Sequence, residues 1–237
     1  MNKAQKEQKE YAARVVAAED VAPGMRILHV EIDNRQRLNF RAGQYVMMSA
    51  GGHPPRAFSI ASAPDEPLLE IHVRNSGHGV SAYAAEEMKP GSALTLSGPY
   101  GENVWQGSLP RPLLMLAGGI GIAPMKAMIH AHLAARASAP VWLYWGVRDR
   151  GQLYLDEAFR ALAAKHPRFS YIPVLSDAED GAYRHGFIGP AVAADFDTLA
   201  GYSIYMAGPK AMIDATLPLL EQNGAEMDYV FCDAFSV

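Results

Sequence analysis

The sequence predicts two domains in tandem, an N-terminal all-β barrel or sandwich followed by a C-terminal α/β domain on a doubly wound parallel sheet. Three observations carry this. Between Tyr11 and Gly101, short β-type runs alternate with turn signals. From Arg111 onward, short apolar runs alternate with segments of helical spacing. The length of 237 residues suits two domains of about 100–130 residues each.

The first β-type run, 11–19, is rich in Val and Ala. The second, 25–32, alternates Ile27 and His29 against Leu28, Val30 and Ile32. Runs at 45–49, 57–60, 69–74 and 93–97 complete a set of six strands. Between them stand Pro23-Gly24, Ala42-Gly43, Gly51-Gly52-His53-Pro54-Pro55, Ala63-Pro64-Asp65 and Lys89-Pro90-Gly91. An amphipathic helix is expected over 80–88. In the second half, strands are expected at 113–117, 141–144, 169–175, 203–206 and 229–231. Helices are expected at 124–136, 153–165, 191–199 and 209–223. The chain divides into a solvated tail or frayed helix over 1–10, a first domain over 11–109 and a second over 110–237. The join lies at the stiff Leu109-Pro110-Arg111-Pro112 stretch.

Composition excludes several classes. Hydrophobic residues at 49% and charged residues at 19% describe a folded chain. The net charge of −4 leaves no basic excess to attract nucleic acid. The longest stretch free of Asp, Glu, Lys and Arg, 112–125, is too short for a membrane span, and the first residues carry no secretory pattern. The single cysteine, Cys232, excludes an internal disulfide and a Cys-ligated iron–sulfur cluster. The expected compartment is the cytoplasm. His130 and His132 lie two apart on a helix and point in different directions, so no metal is expected.

Three segments carry chemistry. In Leu113-Leu114-Met115-Leu116-Ala117-Gly118-Gly119-Ile120-Gly121-Ile122-Ala123-Pro124, an apolar strand ends in glycines and a helix begins at once. Such a turn brings backbone N–H groups to a phosphate. Pro124 stands where the dinucleotide fingerprint has its third glycine. A plain strand–helix turn with packing glycines accounts for this segment too. The second segment is Arg56-Ala57-Phe58-Ser59, whose alternation sets Arg56 and Phe58 against Ala57 and Ser59. The third, Ile71-His72-Val73-Arg74 leading to Gly79-Val80-Ser81, offers an arginine and a hydroxyl beside a glycine-flanked helix start. It reads equally as a capped helix. Trp142 and Trp145 read as packing residues.

In this order, the three segments resemble the ferredoxin–NADP reductase superfamily. The Arg-x-(Tyr/Phe)-Ser flavin motif of that superfamily matches Arg56-Ala57-Phe58-Ser59. Its strand ending in Arg before a glycine and a Ser/Thr at a helix start resembles His72-Val73-Arg74 and Gly79-Val80-Ser81. Its Gly-Gly-x-Gly-x-x-Pro matches Gly118-Gly119-Ile120-Gly121-Ile122-Ala123-Pro124. Gly146-Val147-Arg148 looks like its Gly-x-Arg, and Ala207-Gly208-Pro209-Lys210-Ala211-Met212 like its (Cys/Ala)-Gly-Pro-x-x-Met. The segment from Phe231 to Phe235 resembles the end of bacterial NAD(P)H–flavin reductases, so these and stand-alone oxygenase-type reductases are the nearest members. Two positions depart from the usual pattern: Phe58 lacks the tyrosine hydroxyl, and Ala207 replaces cysteine.

The resemblance implies a six-stranded antiparallel Greek-key barrel that binds FAD and a parallel-sheet domain that binds NADH or NADPH. It implies that Ser59 is the catalytic residue, placed by flavin N5, and that Arg56 holds the phosphate or the ring edge. Arg74 and Ser81 take the pyrophosphate, and Gly118, Gly119, Ile120, Gly121 and Pro124 receive the nicotinamide nucleotide. Gly146, Arg148, Asp149, Gly208, Pro209 and Met212 complete that site, with Phe231 or Phe235 covering the flavin. Asp149 disfavours a 2′-phosphate while Arg148 and Arg150 favour one, and the reading leans to NADH. The expected activity is an oxidoreductase passing a hydride from NAD(P)H to FAD, with electrons going on to free flavin or another acceptor. The alternatives are an FAD-holding reductase subunit for a separate oxygenase or iron–sulfur protein, and a non-catalytic nucleotide-binding regulator.

Overall fold

The computed structural model describes residues 9–107, 110–177 and 181–235. The chain separates into two compact units, Met1–Val104 and Trp105–Val237. This division falls ahead of the expected join at 109/110 because Trp105 and Gln106 are held by the second unit. The Trp105 ring stands edge-on to His132 at 5.9 Å, and the Gln106 N–H donates to the Tyr205 hydroxyl at 3.3 Å. Residues 1–8 of the expected tail lie outside the described residues, and the first strand starts at Glu10.

The first unit contains β1 (Glu10–Ala22), β2 (Met25–Ile32), β3 (Tyr45–Ser49), β4 (Arg56–Ser59), β5 (Leu69–Arg74) and β6 (Ala93–Tyr100). They pair antiparallel in the order β4-β3-β6-β1-β2-β5, the non-sequential order of a Greek key. A bridge between Ile60 and Ile71 joins the two outer strands and closes the barrel. Alternation fills the inside: Tyr11, Ala13 and Val15 from β1, Leu28 and Val30 from β2, Val46 and Met48 from β3, and Ile71 and Val73 from β5 are buried. Each large side chain buried in this way contributes about 1.5–3 kcal/mol. Helix α1 (Gly79–Glu86) adds Val80 and Ala84 to the same core.

The second unit contains β7 (Leu113–Gly118), α2 (Ile122–Ala134), β8 (Val141–Val147), α3 (Asp156–Lys165), β9 (Phe169–Leu175), β10 (Arg184–His185), α4 (Ile188–Asp195), β11 (Ser203–Pro209), α5 (Lys210–Gln222) and β12 (Val230–Phe235). All strands run parallel in the order β10-β9-β8-β7-β11-β12. The order reverses between β7 and β11, the point where open α/β sheets place their ligands. The two-residue β10 is too short to show a period in the sequence. Helix α4 begins earlier than the expected 191–199 because Gly189 fits close against Thr216 and Leu219 of α5. It stops at Asp195, where Phe196 enters an aromatic cluster with Trp142 and Tyr202. Strands β8, β11 and β12 run past their expected ends and carry the motif residues to the carboxyl edge of the sheet. Among the described residues, no helix is long and apolar enough to cross a membrane.

Candidate functional site

Each unit carries one candidate half-site. In the barrel it is built around the loop from Asn75 to His78, which feeds α1. Asn75 Oδ1 accepts from the Gly77 N–H at 2.8 Å, and Asn75 Nδ2 donates to Glu86 Oε1 at 2.7 Å. Arg56 reaches over from the start of β4 and donates from Nη1 to Ser76 Oγ at 3.0 Å. One guanidinium nitrogen is therefore tied to this loop. Gly79 starts α1 at φ +63°, and a Cβ there would meet nothing within 4 Å. No side chain caps α1 and no acidic residue occupies its first turn. Ser81, in that turn, is 3% exposed. The cradle has an arginine, a helix start and open space, the properties of a phosphate site.

The remaining barrel residues divide by face. Phe58, 7% exposed, belongs to the barrel core, so what it offers outside is its backbone. Val73 and Val80 are likewise core residues. His72 is buried, with Nε2 2.6 Å from Glu70 Oε1, and its ring is spent on that pair. Ala57 is exposed and Ser59 half-buried, on the opposite side of β4 from Phe58. Ser59 pairs with Tyr45 of β3. Arg74 is exposed at the end of β5.

The second half-site lies at the carboxyl ends of β7, β8 and β11. Its glycines have different tasks. A Cβ on Gly118 would lie 2.5 Å from Met212 Sδ and 2.9 Å from Pro209 Cδ. One on Gly121 would overlap the Ala207 carbonyl oxygen. Gly208, at φ +154°, lies against the Gly118 backbone, and Gly146 lies against Ile188 of α4. These four let β7, β11 and their helices approach closely. Gly119 differs: it takes φ +54° and a Cβ there would meet nothing within 4 Å. It faces open space just ahead of α2, which has neither a side-chain cap nor an acidic first turn. Pro124 is buried inside the first turn of α2, where a missing N–H breaks no helical bond.

The buried Trp145 sets this turn: its Nε1–H donates to the Gly119 carbonyl at 2.9 Å. Sequence reasoning placed Trp145 in sheet-end packing; the signal for its second role is its position beside Gly146. We expect Trp145→Phe to weaken NADH binding about tenfold, as loss of one hydrogen bond to a part-buried carbonyl implies. Flavin affinity should stay within twofold, and calorimetric titration of both ligands checks this.

Beyond β8, Arg148 and Asp149 are exposed. Asp149 Oδ2 accepts from Gln152 Nε2 at 3.0 Å and so is tied to its own loop. Arg150 lies 5.7 Å from the Tyr183 ring. Phe231 stacks on Tyr205 at 5.0 Å, a contact inside the second unit. Phe235 pairs with Pro209 at the carboxyl end of β12. Burial raises the Cys232 thiol pKa and keeps it protonated, and it raises the Asp233 carboxyl as well. The structure thus brings together Gly118, Gly119, Ile120, Gly121, Gly146, Gly208, Pro209 and Met212 in one half-site, and Arg56, Gly79 and Ser81 in the other.

Two family models match the chain. Residues 12–105 match the oxidoreductase FAD-binding domain family, and residues 115–217 the oxidoreductase NAD-binding domain family. The chain is 36% identical over 235 residues to the phenol 2-monooxygenase reductase component DmpP of Pseudomonas sp. (strain CF600), covering 95% of this chain and 65% of that protein. It therefore spans about two thirds of that relative's length. It is 35% identical over 208 residues to the NAD(P)H-flavin reductase of Vibrio harveyi, covering 83% of this chain and 87% of the relative. Its fold matches the crystal structure of the Amycolatopsis cytochrome P450 reductase GcoB at a TM-score of 0.90 and 30% identity, over 97% of this chain and 71% of that one.

Proposed function

Because the chain belongs to the ferredoxin-reductase-like family of FAD- and NAD-binding oxidoreductases, we propose that it oxidises NAD(P)H through FAD held by the barrel and passes the electrons to a separate acceptor. One observation carries the reading. Each unit places a positive-φ glycine with open space on its Cβ side ahead of an uncapped helix, Gly79 in the barrel and Gly119 in the parallel sheet. FAD and NAD(P)H each bring a pyrophosphate, and each unit offers one place for it. When bound, the cofactors supply the redox chemistry, a hydride donor in the reduced nicotinamide and a flavin that accepts it and releases electrons singly or in pairs.

The side chains orient these groups. Arg56, Arg74, Gly79 and Ser81 bind the FAD pyrophosphate. Ser59 offers its hydroxyl to the flavin ring from the outer face of β4. Gly119 and the first turn of α2 take the nicotinamide nucleotide, with Trp145 holding the turn. The acceptor divides the relatives: Vibrio harveyi NAD(P)H-flavin reductase is named for flavin, and DmpP for phenol 2-monooxygenase. The arginine committed to the α1 cradle favours retained FAD, and with it delivery to a protein such as an oxygenase component.

The absorption spectrum of the purified protein tests this. A flavin band that bleaches on adding NADH supports the reading. A colourless protein that oxidises NADH only with added flavin shifts the conclusion to a free-flavin reductase. No oxidation of NADH or NADPH under either condition leaves a nucleotide-binding regulator. Ser59→Ala should slow flavin reduction at least about tenfold while changing NADH affinity less than twofold, because its hydrogen bond acts in the transition state. Rapid mixing that finds equal reduction rates in mutant and parent removes Ser59 from the mechanism.

A further inference from the structure

We propose that His78 is a protonation-dependent ligand of the FAD pyrophosphate, so that this chain holds FAD more tightly as pH falls. The inference rests on the reading that the α1 cradle binds that pyrophosphate. His78 is the N-cap residue of α1, with extended backbone at φ −155° and ψ 162°. Its Nδ1 lies 2.9 Å from the Ser76 carbonyl oxygen. A carbonyl only accepts, so Nδ1 carries the proton, and in the neutral ring Nε2 is a bare lone pair. A lone pair repels a phosphate oxygen. A proton on Nε2 makes the ring a cation and a second donor, and a charge-assisted bond becomes available.

The surroundings fit an anion. Arg56 Nη1 donates to Ser76 Oγ, which in turn donates to the His78 carbonyl at 3.2 Å. The guanidinium is thus linked through one serine to the residue that starts the helix. Ser81 is nine-tenths buried in the first turn. Gly79 leaves the space in front of the turn open. His78 itself is exposed.

Other charges face this loop. Arg56 comes from β4 and Arg74 from the end of β5, and Glu86 on α1 is bonded to Asn75. Guanidinium and carboxylate groups do not ordinarily change charge between about pH 5.5 and 8.5, and a pyrophosphate diester does not either. His72 on β5 is buried against Glu70, and a second imidazole against α1 is His53, 5.6 Å from the Tyr83 ring. His78 and His53 are the two histidines to separate by experiment.

Fluorescence titrations of FAD and riboflavin against the full chain, at four pH values from about 5.5 to 8.5, make that separation. The FAD dissociation constant of the parent should fall about tenfold from the alkaline to the acid end, the worth of one charge-assisted bond. Riboflavin, which has no phosphate, should change less than about twofold over the same range. His78→Gln should be flat at the alkaline level and His78→Arg flat at the acid level. His53→Gln should follow the parent. The assignment falls if FAD affinity is flat with pH, if riboflavin follows the same curve, or if the dependence survives His78→Gln. It falls equally if His53→Gln abolishes the dependence. A parent that binds FAD no better than riboflavin at every pH overturns the cradle reading beneath it.

Discussion

Gly121→Ala is expected to unfold the second unit, whereas Gly119→Val leaves it folded and removes nicotinamide-nucleotide binding. The two glycines are two residues apart in one turn, yet they meet different surroundings. A methyl on Gly121 overlaps the Ala207 carbonyl oxygen, which belongs to the backbone of the interior strand β11 and cannot swing aside. Relief requires this turn and β11 to move apart within the sheet. Overpacking of this kind costs about 1–3 kcal/mol in a yielding core, and a rigid backbone neighbour places Gly121→Ala above that range. Gly119 has no neighbour to strike. Its φ of +54° makes a side chain cost about 1–2 kcal/mol and more for a branched one, which lowers stability without changing the fold. The valine then occupies the open space where a phosphate approaches the backbone. We expect Gly119→Val to raise the NADH dissociation constant at least about a hundredfold, some 2.7 kcal/mol, with flavin affinity unchanged. Thermal unfolding followed at the tryptophans and calorimetric titration with NADH read the two effects apart. Equal NADH affinity in Gly119→Val and parent makes the turn purely structural.

This contrast also shows how far the sequence could be read. The turn from Gly118 to Gly121 is visible as a glycine cluster between an apolar strand and a helix, and the periodicity locates nearly every strand and helix. What a motif cannot convey is which glycine serves packing and which leaves room, because that depends on β11, about ninety residues downstream. The same holds for Phe58 and Phe231. Each matches a motif position, but their rings face the barrel core and Tyr205. Period-two alternation assigns Phe58 a face without saying which face is inside. The Arg56–Ser76 and Trp145–Gly119 bonds join residues 20 and 26 apart, and no local pattern announces either. Element ends follow the same logic. Helix α4 starts where Gly189 fits α5, a tertiary fact that propensity does not contain.

FAD should bind more tightly than riboflavin by about 1–3 kcal/mol, the worth of hydrogen bonds to a charged group, and Arg74→Ala should erase most of that difference. Arg74 ends β5 with its side chain exposed, one residue before the Asn75 N–H donates to the Gly24 carbonyl at 2.8 Å. That bond anchors the loop, so removing the Arg74 side chain takes away charge and leaves the cradle's shape. Arg56→Ala acts differently, because it also frees Ser76 and with it the approach to α1. Both single changes should spare riboflavin affinity within about twofold, and the double change should cost less than the sum of the two, since both cations serve one anion. FMN, with a single phosphate, should fall between the other two flavins. Fluorescence titration of the three flavins against parent, both single variants and the double variant gives the cycle. If FMN or riboflavin binds the parent as tightly as FAD, the cradle holds no pyrophosphate, flavin exchanges as a substrate, and reduction of free flavin becomes the better account. If FAD alone is retained, the electrons must leave a flavin that stays on the barrel, and the acceptor is a protein that comes to it.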